Sequence, residues 1–324
     1  MSKNGSTLHI FGGGEFVGIA DEIANRLGWS VTVRTGDRFL NTIPNLSVDT
    51  KLLVGNDLVS LMREGGIPKR GDYGMSFSAP WIFSQEVIDM FDGEVFNLHN
   101  QPLPKFRGGG GASWPILMGV RSGGCCIHRL VRKVDAGDIF ARQNFCFPEE
   151  IKFPIEFDKY AIRHARDLLN EWLPNLLLQR SPGEPIDIDE SESEYWPRLN
   201  TEIHGWIDWS WGLEDILKFC NAFSYPHKGA KTLINNCIIE IRNATMHLNG
   251  NFHPYQNGMV FRLSNDGLYV AHRDGVLHVS DYQLSDPLVK ITLGDRFFTP
   301  RDLLEKAMLQ RVQYLPSGKV VGLR

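Results

Sequence analysis

The chain has 324 residues, enough for two domains, and its 42% hydrophobic and 22% charged residues are ordinary for a globular protein. A net charge of −4 argues against a nucleic-acid partner held by a broad basic face, and five cysteines without a C-x-x-C pair predict neither a disulfide framework nor a zinc site. Because no signal-like segment and no apolar run of about 20 residues occurs, we expect a cytoplasmic protein with no membrane partner.

The first half of the chain alternates short apolar runs with helical patterns. The predicted strands are Leu8–Phe11, Val31–Val33, Leu52–Val54, Tyr73–Phe77 and Val95–Leu98, and the predicted helices are Phe16–Leu27, Gly55–Arg63, Ser84–Met90 and Phe157–Leu178. Strands that alternate with helices indicate a mostly parallel sheet with helices on both faces. We therefore predict an α/β, Rossmann-like catalytic domain over residues 1–180.

Glycines follow the first predicted strand. Gly12-Gly13-Gly14 and Gly18 have the spacing G-x-G-x-x-x-G, one residue longer than the dinucleotide fingerprint. No acidic residue follows clearly at the end of the second strand, where a nucleotide ribose would be bound. Glycines at a first strand-to-helix turn are also common for backbone reasons alone. A nicotinamide or flavin oxidoreductase is therefore kept only as an alternative.

The composition changes after residue 180. Residues 181–195 combine prolines and a glycine with six acidic side chains, which predicts an exposed linker over 181–209. From about residue 210 a helical pattern over Trp211–Phe219 precedes short β-like runs. These runs are Cys237–Ile241, Met259–Leu263, Leu268–Ala271, Val276–Val279 and Val289–Leu293, with Asn-Gly or Asp-Gly turns at 249–250, 257–258, 266–267 and 274–275. We predict a smaller β-rich, barrel-like domain over 210–324, with a late helix at Arg301–Leu309.

The most informative stretch begins at the end of the strand predicted over Val95–Leu98. Asn97 and His99 are two residues apart, so on an extended segment their side chains share a face. A glycine-rich loop, Gly108 to Gly111, follows and can approach a flat ligand with its backbone. Asp135 and Asp138 then flank an Ala-Gly turn. Taken singly, the histidine fits an ordinary hydrogen-bonded role and the aspartates fit turn positions.

Taken together, residues 97–137 resemble the 10-formyltetrahydrofolate-dependent formyltransferases. The matching motifs are N-x-H at Asn97-Leu98-His99, L-P-x-F-R-G at Leu103–Gly108, Trp114, Gly119 and D-x-G at Asp135-Ala136-Gly137. Further on, Gly205–Ser210 and Phe223–Ala230 resemble segments of the accessory C-terminal domain found in methionyl-tRNA and sugar formyltransferases. Two positions depart from the family pattern: Gln101 stands where the family usually has Ser, and Gly111 where it often has Pro.

The resemblance implies a reaction and a set of roles. His99 would act as general base, Asn97 would donate a hydrogen bond to the oxyanion, and Asp135 would orient the histidine. The co-substrate would be 10-formyltetrahydrofolate, and no metal is expected. Candidate folate contacts are Phe77, Trp81, Phe83, Arg107, Gly108 and Asp138; candidate sugar contacts are Gln101, Phe223 and Tyr225.

The amine acceptor is predicted to be a nucleotide-linked amino deoxysugar, with dTDP as the expected nucleotide. The tRNA enzymes of the family have a basic insertion between early strands, whereas residues 34–75 here are short and their Lys and Arg residues are dispersed. A sugar acceptor would suggest a role in lipopolysaccharide O-antigen synthesis. Methionyl-tRNA as acceptor and a folate-binding protein without turnover are the alternatives, and a homodimer is possible.

Overall fold

The computed structural model describes residues 5–109 and 111–323. The chain forms two main sheets, a seven-stranded one in the N-terminal half and a five-stranded one in the C-terminal half. Within the described residues, no helix combines the length and the apolar character needed to cross a bilayer.

The N-terminal sheet is mostly parallel, as predicted. Its half of the chain contains β1 (Thr7–Gly12), β2 (Ser30–Thr35), β3 (Lys51–Val54), β4 (Tyr73–Phe77), β5 (Val95–His99), β6 (Arg107–Gly108), β7 (Ser122–Arg129) and β8 (Ile139–Cys146). All except β6 join one sheet in the order β3-β2-β1-β4-β5-β7-β8. Strands β1 to β5 pair in parallel, whereas β7 is antiparallel to both β5 and β8. The parallel strands were predicted, and β7 was not.

Helices cover both faces of this sheet. They are α1 (Glu15–Arg26), α2 (Leu58–Gly65), α3 (Gln85–Asp89) and α5 (Pro154–Gln179), whereas α4 (Ser113–Met118) packs in the core of the C-terminal half. Ile10 packs in one core cluster with α1 and α5, while its neighbour Phe11 packs in another with α2 and α3. Successive strand residues point to opposite faces, so an uninterrupted apolar strand requires cover on both.

The glycines after β1 have a packing explanation. Gly12 has a φ of +117°, and a Cβ there would lie 1.9 Å from the carbonyl oxygen of Phe77. A Cβ on Gly13 would lie 2.6 Å from the Cβ of Phe39. Close approach of a neighbouring strand at Gly12 and of a side chain at Gly13 therefore accounts for these glycines without a dinucleotide.

The segment after α5, which the sequence predicts as an exposed linker, is largely exposed but contains short elements. It contains β9 (Tyr195–Trp196), followed by α6 (Thr201–His204) and α7 (Leu213–Ala222). Residues 186–198, here called the strap, run back over the N-terminal domain: Ile186 bridges to Ile139, and β9 pairs in parallel with β6. Many strap side chains remain exposed, which explains the polar composition, but its backbone is anchored beside the glycine-rich loop.

The C-terminal sheet is antiparallel and separate from the first, as predicted. It contains β10 (Ala230–Ile234), β11 (Cys237–His247), β12 (Val260–Ser264), β13 (Gly267–His272) and β14 (Gly275–Leu284), in the order β10-β11-β14-β13-β12. Residues 294–298 hydrogen-bond to both edges, with Phe298 bridging to Leu233 and Arg296 to Met259. This segment closes the sheet toward a barrel.

Three local predictions in this half need correction. Val289–Leu293 is not a strand, because its backbone makes local turns. The side chains of Leu293 and of the preceding Leu288 are also exposed. The Asn-Gly pairs at 249–250 and 257–258 lie in the long β11–β12 connection instead of hairpin turns. The hairpin between β10 and β11 instead turns at Asn235 and Asn236, both with positive φ, which asparagine tolerates.

The chain then returns to the N-terminal domain. The predicted helix α8 (Arg301–Leu309) is present and leads into a hairpin of β15 (Arg311–Tyr314) and β16 (Val320–Leu323). The backbone amide of Arg38 donates to the carbonyl oxygen of Pro316 at 3.2 Å. This contact places the hairpin beside the 3-10 turn Asp37–Thr42 that follows β2.

Candidate active site

Asn97 and His99 lie at the carboxyl end of β5, the position where open α/β sheets bind ligands. The register of β5 against β7 places Asn97 opposite His128. Asp135 follows β7 in the connection to β8. The structure therefore brings the three predicted catalytic residues together and adds a fourth side chain, His128.

His128 orients the Asn97 amide. The His128 Nδ1 lies 3.0 Å from the carbonyl oxygen of Arg129, so Nδ1 carries the proton and donates there. Its Nε2 is then an acceptor, 3.1 Å from the Asn97 Nδ2. Complete burial lowers the pKa of His128 to about 4, which keeps the ring neutral in this arrangement. One Asn97 N–H is thereby committed, and the other is free to face a ligand.

His99 has one committed nitrogen and one open nitrogen. Its Nε2 lies 2.9 Å from the carbonyl oxygen of Phe106, so Nε2–H donates and Nδ1 keeps its lone pair. The Nδ1 lies 3.8 Å from the Asp135 Oδ1. His99 is therefore built to accept a proton from a ligand.

The backbone of the glycine-rich loop holds the Asp135 carboxylate. The Gly108 amide donates to Asp135 Oδ2 at 2.9 Å, while Oδ1 lies 3.6 Å from the His128 Nε2. Gly108 has a φ of +100°, and a Cβ there would lie 2.5 Å from the Trp196 carbonyl oxygen, so this position requires glycine. Of the tract 108–111, residue 110 lies outside the described residues.

Arg107 links the strap to the catalytic loop. Its side chain is 3% exposed and donates to the Asp135 carbonyl oxygen at 2.8 Å. The same guanidinium donates to Ser193 Oγ at 2.6 Å and to both carboxylate oxygens of Glu190 at 2.7 and 3.0 Å. Arg107 was predicted as a folate contact, but these bonds give it a structural role behind Asp135 instead.

A cavity of about 720 Å³ opens in front of these groups. Asn97, His99 and Asp135 line it, together with the predicted folate contacts Trp81, Phe83 and Gly108. Most of its other walls come from the segments 78–82, 130–132, 197–198 and 311–314, with Arg38, Phe39, Val134 and Tyr195. Asn100 also lines it, and the buried Oδ1 of this side chain has no hydrogen-bond partner within residues 5–109 and 111–323, which leaves an acceptor for a ligand.

Several predicted contacts lie elsewhere. Phe77 is in the core, stacked on Phe16 with ring centroids 5.9 Å apart, and Phe223 is buried in the C-terminal core. Gln101 donates to the Gly111 carbonyl oxygen, and Asp138 and Tyr225 are exposed at other surfaces. These side chains do not line the cavity. The sequence could not show this, because the position of an aromatic or polar residue near a motif does not indicate which way its side chain points.

The centre also has the donors of a metal site. Single ligand atoms of His99, His128 and Asp135 lie within 4.8 Å of one another. Two imidazoles and a carboxylate suit zinc or a first-row transition ion. In the described arrangement, however, the His128 lone pair already accepts from Asn97. The expectation of a metal-free site stays a prediction.

Two features of the site were missed in the sequence. His128 could have been found from strand register, but Gly123 and Gly124 interrupt the apolar pattern of β7. The wall formed by residues 195–198 and 311–314 had no local signal, because it depends on where the strap and the C-terminal hairpin pack.

Comparison with known proteins supports this picture. Residues 79–149 match the family model described as formyl transferase, and residues 201–288 match that of the formyl transferase C-terminal domain. Methionyl-tRNA formyltransferase of Streptococcus agalactiae is 30% identical over 191 residues, which are 59% of this chain and 58% of that protein. The chain thus aligns with less than two thirds of this relative's length.

Solved structures share the fold. The N-formyltransferase of Helicobacter canadensis, in complex with folinic acid and dTDP-3-aminofucose, has a TM-score of 0.61 and 16% identity, covering 87% of this chain and all of that one. WlaRD, a sugar 3N-formyl transferase in the presence of dTDP and 5-N-formyl-THF, has a TM-score of 0.64 and 15% identity, covering 87% and 98%. The chain therefore combines a segment similar to formyl transferases, which contains the site described above, with a second segment similar to their C-terminal domain.

Proposed function

We propose that this protein transfers a formyl group from 10-formyltetrahydrofolate to a primary amine. The observation that carries the proposal is the arrangement of Asn97, His99 and Asp135 at the base of the cavity: a free amide N–H, an open imidazole lone pair and a carboxylate beside it. These groups match the needs of acyl transfer between two nitrogens, and they stand in a chain with both formyl transferase domains.

In the proposed reaction the amine nitrogen binds between His99 Nδ1 and Asp135 Oδ1. Its lone pair forms a bond to the formyl carbon, and the carbonyl electrons move to the oxygen. The free N–H of Asn97 donates to that oxyanion. His99 Nδ1 takes a proton from the amine, with Asp135 stabilising the imidazolium. The carbon–nitrogen bond to folate then breaks, and His99 returns the proton to the leaving nitrogen.

We further propose a nucleotide-linked amino sugar as the acceptor. The cavity volume falls within the roughly 300–1,000 Å³ typical of small-molecule sites. Four arginines line the cavity, against one acidic side chain, Asp135. Such a wall suits a ligand with phosphate groups. Structurally similar proteins bind dTDP-linked ligands and folates, which agrees with this choice.

Methionyl-tRNA is the second candidate acceptor, favoured by the 30% identity to a methionyl-tRNA formyltransferase. Against it stand the short, compact segment after β2 and the net charge of −4.

The deciding experiment offers 10-formyltetrahydrofolate with a panel of nucleotide-linked amino sugars, and separately with methionyl-tRNA. We expect release of tetrahydrofolate and a sugar product heavier by one carbonyl group. Formylation of the tRNA without sugar turnover would establish the second candidate. Folate binding without transfer to any amine would show a non-catalytic binding protein.

A further inference from the structure

Two arginines stack on one tyrosine at the edge of the cavity. The guanidinium carbon of Arg38 lies 4.8 Å from the ring centroid of Tyr314, and that of Arg198 lies 5.3 Å from the same centroid. Arg38 also lies 4.9 Å from the ring of Phe39. Cation–π contacts offset part of the cost of bringing two like charges together, but the charge itself remains.

This positive charge has no protein counter-ion in the described ranges 5–109 and 111–323. No salt bridge joins a carboxylate to Arg38, to Arg198 or to Arg311, which lines the cavity beside them. Partial burial and the nearby Arg198 lower the pKa of Arg38 from its ordinary value. Clustered cations without a carboxylate partner favour an anionic ligand.

The cluster adjoins the reacting centre. A Cβ on Gly109 would lie 2.6 Å from the Arg198 Nε, so the arginine packs against the backbone of the glycine-rich loop. The preceding residue, Gly108, donates to the Asp135 carboxylate. The arginine cluster therefore lies beside the loop that holds Asp135, in the same cavity as the reacting groups.

The supporting contacts are specific. Asn200 donates to the Tyr314 hydroxyl at 2.9 Å, and the Arg38 amide donates to Pro316 at 3.2 Å. Arg38, Arg198 and Tyr314 all lie outside residues 79–149 and 201–288, the parts of the chain that match the family models. The cluster is built from three segments that are far apart in sequence.

We propose that Arg38, Arg198 and Arg311, with Tyr314, form an anion subsite that binds the phosphate groups of the formyl acceptor. The subsite makes the C-terminal hairpin part of the acceptor site, and it rests on the proposed function. Three guanidinium groups match a diphosphate, which carries several negative oxygens and accepts paired N–H bonds. The carboxylates of the folate tail are also anions that guanidinium groups can bind. The experiments below distinguish the acceptor's phosphates from these carboxylates.

The first experiment measures binding of inorganic pyrophosphate and of dTDP by calorimetry, with no folate present. We expect the double variant R38Q/R198Q to weaken both by about 10- to 100-fold, the loss anticipated for charge-assisted hydrogen bonds. R301Q removes an arginine that is 90% exposed in α8 and should leave binding unchanged. Equal binding by wild type and R38Q/R198Q would overturn the proposal. R198Q alone, at an exposed position, provides the answer if the double variant does not fold.

The second experiment identifies the anion by steady-state kinetics. R38Q/R198Q should raise KM for the nucleotide-linked amino sugar by a similar factor. It should leave KM for 10-formyltetrahydrofolate within about twofold, because the arginines are proposed to contact the acceptor and not the folate. The reverse pattern would assign the arginines to the folate tail and overturn the proposal. If no amine is formylated at all, the proposed function fails, but pyrophosphate binding still tests the subsite separately.

Discussion

The base and the rim of the cavity are built differently. The base consists of Asn97, His99, His128 and Asp135, which are positioned by neighbouring strands and by the loop that returns between them. The rim consists of Arg38 after β2, Arg198 on the strap and the hairpin that carries Tyr314. The side chains of the base are held by hydrogen bonds to one another or to the backbone. The rim arginines, in contrast, have no carboxylate partners among the described residues.

This difference separates chemistry from recognition. Sheet register fixes the positions of the base side chains relative to one another, so the reaction can stay the same while the residues of the rim change. The rim depends on how the strap and the C-terminal segments pack, so it can change acceptor specificity without moving the reacting groups. Variants at the base should therefore change kcat, and variants at the rim should change KM for the acceptor.

The largest effect is expected at His99. His99→Asn keeps a polar side chain but removes the proton acceptor, and the transfer rate should fall by about 10²- to 10⁴-fold, as for other general bases. The measurement is single-turnover formation of the formylated product, with folate affinity measured in parallel as the control. Near-normal turnover with normal folate binding would remove His99 from the mechanism.

Asn97 should come next. Asn97→Ala removes the oxyanion donor, and kcat should fall by about 10²- to 10³-fold with little change in ligand affinity. Asn100→Ala is the matched comparison, because Asn100 lines the same cavity but presents a buried oxygen acceptor that has no partner among the described residues, instead of an N–H held by His128. We expect N100A to act mainly on KM. If N97A also acted only on KM, the oxyanion role would be wrong.

His128 gives a smaller, pH-dependent effect on stability. Between pH 6.5 and about 4 the unfolded chain binds a proton at His128 that the folded protein does not. This contribution is fully present above the unfolded pKa and is lost as the pH falls, by on the order of 3 kcal/mol. His128→Gln keeps an acceptor for Asn97 but does not titrate.

The measurement compares denaturant unfolding of wild type and H128Q at pH 7 and pH 4.5. The wild type should lose more of its free energy of unfolding on acidification than the variant does. Parallel losses in the two proteins would show that His128 is not a buried neutral imidazole.

The two regions also differ in how far the sequence predicted them. The motif residues Asn97, His99 and Asp135 were identified correctly as neighbours, because a short strand and a turn define their spacing. The parallel sheet and the hairpins at Asp266-Gly267 and Asp274-Gly275 also followed from periodicity and turn chemistry. The orientation of Phe77 and Phe223 did not, because an apolar aromatic suits a core and a ligand wall equally.

The rim could not be predicted for a different reason. Arg38 and Tyr314 are far apart in sequence and meet only because the last hairpin packs beside the turn after β2. The strap was predicted as exposed from its acidic residues, yet Glu190 is the partner of the buried Arg107. Composition describes average exposure and cannot show which single carboxylate has a partner.

The Glu190 carboxylate on the strap gives a further prediction. Glu190→Gln should weaken the hold of Arg107 on the strap and raise KM for the acceptor a few-fold, with kcat within about twofold, since one partly exposed ion pair contributes at most about 1 kcal/mol. Glu192→Gln is the control, because its pair with Lys105 is half exposed on both sides. A kcat loss in E190Q as large as in N97A would show that the strap positions the base as well.

The smallest effect is expected from metal removal. A metal ion bound by His99, His128 and Asp135 would take the lone pair that His99 needs as a base and the one that now orients Asn97. Dialysis against a chelator should therefore leave the rate unchanged, and added Zn²⁺ should inhibit. His128→Gln removes one imidazole ligand but retains an acceptor for Asn97, so it should weaken zinc inhibition by about tenfold or more, as losing a ligand weakens the site. Loss of activity on chelation, restored by zinc, would instead mean that the base of the cavity works as a metal centre and that the proposed roles of His99 and Asn97 are wrong.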